Sequence, residues 1–343
     1  MWLLVLGMQL ALADDGTAFA AWAAGQHAPD TVPEVASGYR FAAQDFQAIA
    51  GISADRPGVV EVEQIGTSVQ GRPLWAFHIE DPATPPERSV LVFGGIHALE
   101  WIGTEVATDL ALDLVEHPVP GVRVTVIPLL NPDGRARVEQ DLLEGRNAYR
   151  RGNGRNVDLN RDFSVNTEVR SVWAHLIPGY YRHSEKPLSQ PESRALDTLA
   201  AREKYDRSAS LHAFGGYFYY PWAGRYAHPP DEQDFVTLGQ AMENAQGAHA
   251  YRTKELSHWG FFFRAQGAEL DHLYGKYGTR AFLIEFTRSG LSPWHPRAWK
   301  SDFRLYNPAD PREHRAGGVR AVRELVRHPE VPGELTHPAG TAR

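Results

Sequence analysis

The chain has 343 residues, of which 43% are hydrophobic and 22% are charged, and its formal net charge is −7. This length is sufficient for a full hydrophobic core, and the composition is that of an ordinary globular protein. The acidic balance argues against general nucleic-acid binding, which requires a basic face. Cysteine is absent, so disulfides and thiolate chemistry are excluded and any metal must be held by His, Asp or Glu.

The first residues form an apolar run over positions 1–13 that ends in Ala11-Leu12-Ala13. The run is too short to span a bilayer, and its small-residue ending is typical of a signal-peptide cleavage site. We therefore predict a signal peptide over residues 1–13 and a secreted or periplasmic protein. The alternative is a disordered start or a truncated gene model, which would leave a cytoplasmic protein. Residues 14–38 are Ala-rich without clear periodicity and are predicted to form a linker or a helical lead-in.

Residues 39–328 are predicted to form one α/β domain, and the Pro/Gly-rich residues 329–343 a loose tail. Apolar runs predict the strands, and helical spacing of apolar residues predicts the helices. The predicted strands are residues 59–65, 73–79, 89–96, 122–130, 208–212 and 279–286, with helices over 100–117 and 192–204. Turn residues at 131–134 stop the fourth strand. This alternation predicts a single-domain mixed, twisted β-sheet flanked by helices on both faces.

Three ionisable residues fall at one end of this predicted sheet. His97 follows the third strand, His212 lies at the end of the fifth, and Glu285 lies near the end of the sixth. Ligands bind at the carboxyl ends of the strands in open α/β sheets. A carboxylate inside an apolar strand also requires a metal or a partner charge, and an ion pair between Glu285 and Arg280 or Arg288 is the alternative to a functional role.

His97 and Glu100 are three residues apart at a strand-to-helix junction, where both side chains can converge on one metal. With His212 they form a His2Glu set that leaves the fourth position of a tetrahedral zinc ion open for water. Zinc in such a site acidifies the water and polarises a carbonyl. The reaction then needs a further carboxylate to accept and return the proton, and Glu285 fits that role. The sequence therefore predicts one zinc ion per chain.

Seven segments that follow one another along the chain resemble the M14 zinc carboxypeptidases, the carboxypeptidase A-like metallopeptidases. They are IGTSVQGRPL (65–74), GGIHALEWIG (94–103), NPDG (131–134), YRRGNGRNVDLNRDF (149–163), SQPES (189–193), SLHAFGGYFYYPW (210–222) and TRAFLIEF (279–286). The resemblance covers most of the chain and implies the fold of that family. Carboxypeptidase A is itself a reference example of a His2Glu zinc site, so that geometry is adopted from the family.

The resemblance implies specific roles for the metal-site residues. His97, Glu100 and His212 would bind zinc, while Glu285 would activate the metal-bound water and later protonate the leaving amine. The implied activity is hydrolysis of the C-terminal peptide bond of peptides or proteins.

Three further residues acquire implied roles as substrate contacts. Arg150 falls where the family has an arginine that polarises the scissile carbonyl and stabilises its oxyanion. Asn160 and Arg161 fall where the family binds the terminal carboxylate of the substrate, for which the planar fork of arginine is suited. Because an internal residue offers no such carboxylate, these two residues imply exopeptidase action.

The sequence departs from the family pattern near the expected substrate pocket. Counted back from Asp271, Phe263 stands where the family has a tyrosine that closes over the substrate, so we expect altered binding with phenylalanine as the lid. Leu270 falls at the floor of the side-chain pocket and implies a preference for apolar or aromatic C-terminal residues. A register one residue earlier would place Glu269 there and favour Lys or Arg. Asp162 stands where asparagine is usual.

Two other functions remain open. A murein-peptide amidase or an N-acyl-amino-acid deacylase of related fold would share the HxxE pair and the DLNR-like segment, whereas NPDG, YRR and SQPES favour the peptidase. A non-catalytic peptide-binding module would keep the groove; the retained Glu285 argues against it, and Phe263 in place of tyrosine argues for it. Five histidines have no counterpart in the family pattern and are expected to be structural or surface residues: His175, His183, His228, His258 and His272. No stable membrane span is predicted, and the oligomeric state stays open.

Overall fold

The computed structural model describes residues 15–56, 58–168, 184, 186–249, 251–259, 264–288 and 300–332. The predicted signal peptide, His175, His183 and Phe263 lie outside these ranges. No helix among the described residues has the length and apolar character needed to cross a membrane.

The centre of the structure is an eight-stranded sheet. Its strands are β1 (Val60–Thr67), β2 (Pro73–Ile79), β3 (Arg88–Gly94), β4 (Val122–Ile127), β5 (Arg207–Ala213), β6 (Tyr217–Tyr220), β7 (Arg252–Glu255) and β8 (Arg280–Phe286). They lie in the order β1-β2-β4-β3-β5-β8-β6-β7. The β4-β3-β5-β8 run and the β6-β7 pair are parallel, whereas β1-β2, β2-β4 and β8-β6 are antiparallel. The predicted mixed sheet is therefore confirmed.

Helices connect and cover these strands. They are α1 (Asp15–Ala24), α2 (Ala42–Asp55), α3 (Trp101–Glu116), α4 (Pro132–Leu143), α5 (Pro191–Glu203), α6 (Glu232–Ala245), α7 (Glu269–Tyr277), α8 (Asp302–Tyr306) and α9 (Arg312–Arg327). Short 3-10 turns span Glu34–Ala36, Leu159–Arg161 and Leu256–His258. The predicted strands and helices match the observed elements to within three residues at each end. The sequence analysis missed the helices α2, α4, α6, α7, α8 and α9 and the strands β6 and β7.

Both faces of the central strands are buried. Every residue of β5 is buried, and only Arg88 at the start of β3 is partly exposed. Successive side chains of a strand point to opposite faces, so burial throughout means that both faces are covered. Helix α3 contacts the strands from β2 to β5, α7 contacts β8, and α9 packs on α3 and α6. The core therefore supports the strand ends rigidly.

The N-terminal lead-in is helical and belongs to the core. Phe19 of α1 is buried, and its ring lies edge-on to those of Trp75 and Phe77 in β2, with centroids 5.2 and 4.9 Å away. At the other end of the chain, Arg207 donates hydrogen bonds to the carbonyl oxygens of Leu325, His328 and Pro329. The chain directly after α9 is therefore held to β5, while residues 333–343 of the predicted tail lie outside the description.

The segment at 131–134, interpreted from its sequence as a turn, begins helix α4. The Asn131 side chain accepts a hydrogen bond from the Gly134 backbone at 2.9 Å, and Pro132 occupies the first helical position. Asn and Pro suit a helix N-terminus as well as a turn, because an N-cap needs a side-chain acceptor and the first helical residue needs no backbone donor.

Candidate metal and substrate site

The carboxyl ends of three neighbouring parallel strands bring the candidate residues together. Strand β5 lies between β3 and β8, and His212 of β5 is the register partner of Glu285 of β8. His97 follows β3, and Glu100 directly precedes α3. The structure thus gathers at one sheet edge the four residues that were selected from separate parts of the sequence.

Helix α3 starts very close to β5 because Gly103 faces that strand. A Cβ atom on Gly103 would lie 2.3 Å from the backbone oxygen of Leu211, and one on Gly94 would lie 2.8 Å from the backbone oxygen of Gly103. Both separations are far shorter than a non-bonded contact allows. A larger side chain at either position would push the helix outward and carry Glu100 away from His212.

The two histidines and Glu100 present their ligand atoms to one point. Nδ1 of His97 lies 2.8 Å from Oε1 of Glu100, and Nδ1 of His212 lies 3.0 Å from Oε2. The two Nδ1 atoms are 3.1 Å apart. Zinc bonds of about 2.0–2.2 Å in a tetrahedron separate the ligand atoms by roughly 3.3 Å. The cluster therefore has nearly the dimensions that a tetrahedral zinc ion requires.

The contacts of the opposite ring nitrogens are compatible with Nδ1 as the metal-binding atom of each histidine. His97 Nε2 lies 3.1 Å from Oδ1 of Asp158, and His212 Nε2 lies 2.7 Å from Oγ of Ser210 and 3.2 Å from Oε1 of Glu269. A carboxylate acceptor keeps the proton on Nε2 and leaves the Nδ1 lone pair free for a metal. Two lone pairs and a carboxylate facing one another would repel without a cation between them, so the donor set fits a zinc ion.

Glu285 is a half-buried carboxylate beside this cluster. Its Oε2 atom has no hydrogen-bond partner among the described residues. Burial and the neighbouring Glu100 carboxylate raise the pKa of Glu285 from its ordinary value of 4.5 to about 8, against the opposing effect of His212 and Arg151. A carboxyl group of this kind can accept a proton and release it again near neutral pH.

Two adjacent arginines, Arg150 and Arg151, have different surroundings in the structure. The Arg150 side chain is 43% exposed, and its Nε donates to Asp141 at 2.7 Å. The Arg151 side chain is 15% exposed, with Nη1 lying 3.3 Å from Oε1 of Glu100 and Nε 2.8 Å from Oδ2 of Asp158. The guanidinium beside the metal cluster therefore belongs to Arg151, whereas that of Arg150 contacts Asp141.

Asn160 and Arg161 lie on the 3-10 turn that follows Asp158. Both are buried, and Asp158 Oδ1 accepts a hydrogen bond from the Asn160 backbone at 3.0 Å. Asn160 Oδ1 in turn accepts one from the Glu269 backbone at 3.0 Å. This turn joins the metal cluster to the start of α7.

The expected pocket residues begin helix α7. Leu270 is buried. Glu269, the acid that a shifted register would put in the pocket, directs Oε1 toward His212, and its Oε2 has no hydrogen-bond partner in the part of the chain that the structure describes. The position of Phe263 is outside the description.

Asp162 connects the site to the SQPES segment. Its carboxylate accepts hydrogen bonds from the Ser189 backbone, the Ser189 hydroxyl and the Gln190 backbone at 3.1, 2.9 and 2.9 Å. All three donors bind to the Asp162 carboxylate, so this side chain holds the SQPES segment beside the 3-10 turn.

Sequence reasoning missed Arg151, Asp158 and the contact of Glu269 with His212. Arg151 and Asp158 lie in the segment YRRGNGRNVDLNRDF, which was recognised as a whole. The available signal was an aspartate two residues before the recognised Asn160-Arg161 pair. The sequence offered no signal for the contact of Glu269 with His212, because the two residues are 57 positions apart.

Comparisons with known proteins agree with this geometry. The family model described as "Zinc carboxypeptidase" matches residues 46–300. The chain is 25% identical over 256 residues to "Carboxypeptidase B" of Astacus astacus, covering 70% of this chain and 83% of that protein. It is 22% identical over 259 residues to "Carboxypeptidase A2" of Mus musculus, covering 71% of this chain. The match spans 61% of the mouse protein, less than two thirds of its length.

A solved structure shares the fold. The carboxypeptidase A of Helicoverpa armigera superposes with a TM-score of 0.67 at 20% sequence identity, covering 92% of this chain and 80% of that one. The family match and the shared fold confirm the resemblance found in the sequence.

Proposed function

Because the chain belongs to the zinc carboxypeptidase family, we propose that it hydrolyses the C-terminal peptide bond of peptides or proteins. The observation that carries this proposal is the convergence of two histidine Nδ1 atoms and a carboxylate beside Glu285, whose Oε2 atom has no hydrogen-bond partner among the described residues. The first three groups suit a metal ion, and the fourth suits a base.

His97, Glu100 and His212 would hold one zinc ion. When bound, zinc supplies a Lewis acid that lowers the pKa of a water molecule and polarises a carbonyl. Asp158 and Glu269 orient the two imidazoles through their Nε2 atoms. Such outer partners fix the tautomer and strengthen the ligand.

Glu285 accepts the proton of the attacking water and passes it to the leaving amine. In the metal-free protein its Oε2 atom has no hydrogen-bond partner among the described residues and its pKa is raised to about 8, which supports this role. A base with a pKa close to the working pH combines a usable deprotonated fraction with a favourable proton transfer in both directions.

We assign polarisation of the scissile carbonyl to Arg151 in place of Arg150. Arg151 is the partly buried guanidinium next to Glu100, so it can meet a carbonyl oxygen that lies near the metal. Arg161, with Asn160, binds the terminal carboxylate of the substrate. A charged hydrogen bond to that carboxylate restricts hydrolysis to the last peptide bond.

The substrate's C-terminal side chain is apolar or aromatic in this proposal. The buried Leu270 supports an apolar pocket floor. The carboxylate of Glu269 is engaged with His212, which argues against its use as a partner for a basic substrate side chain. We further propose export of the protein, on the apolar N-terminal run that ends in Ala11-Leu12-Ala13.

The test is hydrolysis of matched peptides by the zinc-loaded protein. The peptides differ only in a free or amidated C-terminus and in the last residue, which is Phe, Leu, Arg or Glu. We expect cleavage of the free peptides, fastest for Phe or Leu, and little cleavage of the amides.

Other results would point to other functions. Equal cleavage of amidated peptides would refute the carboxylate-binding role of Arg161. Cleavage confined to murein peptides or N-acyl amino acids would favour an amidase or a deacylase. Zinc binding without any hydrolysis would favour a peptide-binding module.

A further inference from the structure

A second group of metal-ligating side chains lies at another edge of the sheet. Strands β6 and β7 are parallel, and Glu255 at the end of β7 is the register partner of Tyr220 at the end of β6. His228 lies in the loop after β6, and His258 ends the 3-10 turn after β7. The carboxyl ends of these two strands therefore bring together residues that belong neither to the catalytic cluster nor to its supporting contacts.

The ligand atoms of this group face one buried carboxylate. His258 Nδ1 lies 2.8 Å from Oε1 of Glu255, and His228 Nδ1 lies 2.9 Å from Oε2. Oε1 of Glu232, at the start of α6, lies 3.2 Å from His228 Nδ1. The two imidazole rings are stacked, with centroids 4.9 Å apart and planes 11° from parallel. These separations resemble those of the His97 cluster and are close to the roughly 3.3 Å between ligands of a tetrahedral zinc ion.

Hydrogen bonds satisfy only part of the Glu255 carboxylate, because the Ser257 hydroxyl donates to Oε1 alone. The Glu255 side chain is 3% exposed, and Oε2 accepts no hydrogen bond from any residue that the structure describes. One protonated histidine would neutralise the Glu255 carboxylate. A second imidazole and the carboxylate of Glu232 nevertheless lie beside it. Two stacked imidazolium rings would repel each other. A divalent cation can bind both imidazoles and the Glu255 carboxylate at once.

We propose that His228, Glu255 and His258, with Glu232, form a second metal site for a divalent transition metal such as zinc. Imidazole nitrogen combined with carboxylate oxygen selects zinc, cobalt or nickel over magnesium and calcium, which prefer oxygen alone. His228 is 63% exposed, so the metal can enter from solvent. The bound ion joins the loop after β6 to the end of β7 and raises the metal content of the protein from one to two per chain.

Co²⁺ titration of the metal-free full-length protein tests this site, with metal content counted by mass spectrometry and coordination followed by visible absorbance. The variants are H228A/H258A, H97A/H212A and the matched control H27A/H117A, which removes two exposed histidines outside both clusters. We expect two Co²⁺ ions per chain in the parent and the control and one in each of the other two variants. The H228A/H258A variant should keep its peptidase activity with zinc, which also shows that it is folded.

Two results would overturn the second site. One is a single bound Co²⁺ in the parent at saturation. The other is two bound ions in a folded H228A/H258A variant. If the parent binds two ions and no variant or parent hydrolyses peptides, the proposed function fails while the second metal site stands.

Discussion

His212 and Glu285 are register partners on the adjacent parallel strands β5 and β8. Partners on parallel strands project to the same face of a sheet, so the candidate metal ligand and the candidate base are held side by side by backbone hydrogen bonds. The spacing between them does not depend on a loop. A site that must move a proton between water and substrate gains from this rigidity, because the reacting groups need no reorganisation.

Replacing Glu285 by Gln removes the proposed base and leaves the three proposed metal ligands in place. The amide keeps the size of the side chain but cannot accept the proton, so we expect the rate of hydrolysis to fall by about 10²–10⁴-fold, the usual contribution of general acid–base catalysis. The zinc content should stay unchanged, since His97, Glu100 and His212 remain. Peptide hydrolysis and metal analysis of the same preparation measure both effects, and parental activity in this variant would refute the role of Glu285.

The same substitution changes how stability depends on pH. Burial raises the pKa of Glu285 to about 8 in the folded protein. The unfolded chain therefore ionises first, and the metal-free protein loses stability as the pH rises from the unfolded value of about 4.3 through about 8. The metal-free Glu285→Gln variant does not undergo this loss of stability at high pH. Its melting temperature should exceed that of the metal-free parent by more near about pH 9 than near about pH 5. Parallel melting curves would contradict the prediction, and Glu87→Gln, at an exposed position, is the control.

The two neighbouring arginines form a matched pair of variants. Arg151 lies next to Glu100, whereas Arg150 binds Asp141. We expect Arg151→Gln to lower kcat by about 10²–10³-fold, the typical effect of removing one oxyanion donor. Arg150→Gln should stay near the parental rate. Steady-state kinetics on one peptide distinguishes them, and the reverse ranking would restore the original assignment of Arg150.

The outer carboxylates should control metal affinity. Asp158→Asn and Glu269→Gln each remove the charged acceptor of one histidine Nε2. We expect each change to weaken zinc binding by about 10–100-fold, as is typical for such outer partners. Competition with a chelator measures the affinity. Unchanged affinity in both variants would mean that the two carboxylates have another purpose.

The pocket assignment predicts a change in specificity. Leu270→Asp would introduce a carboxylate at the proposed pocket floor, where a substrate arginine could form a charged hydrogen bond. We expect the ratio of kcat/KM for C-terminal Arg to that for C-terminal Phe to rise by at least about 10-fold. Glu269→Gln should leave this ratio unchanged, and a loss of Arg cleavage in that variant would identify Glu269 as the pocket acid instead.

Much of the fold of this protein can be predicted from local patterns in its sequence. The strand at β3 appears as the apolar run before His97, and β8 as the apolar run around Glu285. Strands buried on both faces must be apolar nearly throughout, so the sheet core leaves a strong signal. The strand ends then indicate where His97, His212 and Glu285 meet, and the ordered segments identify the family.

Tertiary structure decided which side chains reach the site. Arg150 and Arg151 are neighbours in an irregular segment, where no period dictates the direction of a side chain, and contacts with Asp141 and Glu100 separate them. The contact of Glu269 with His212 and the gathering of His228 with Glu255 likewise join distant parts of the chain. A sequence records each residue's preference for burial or for a turn, but such contacts arise only when strands pair and helices pack.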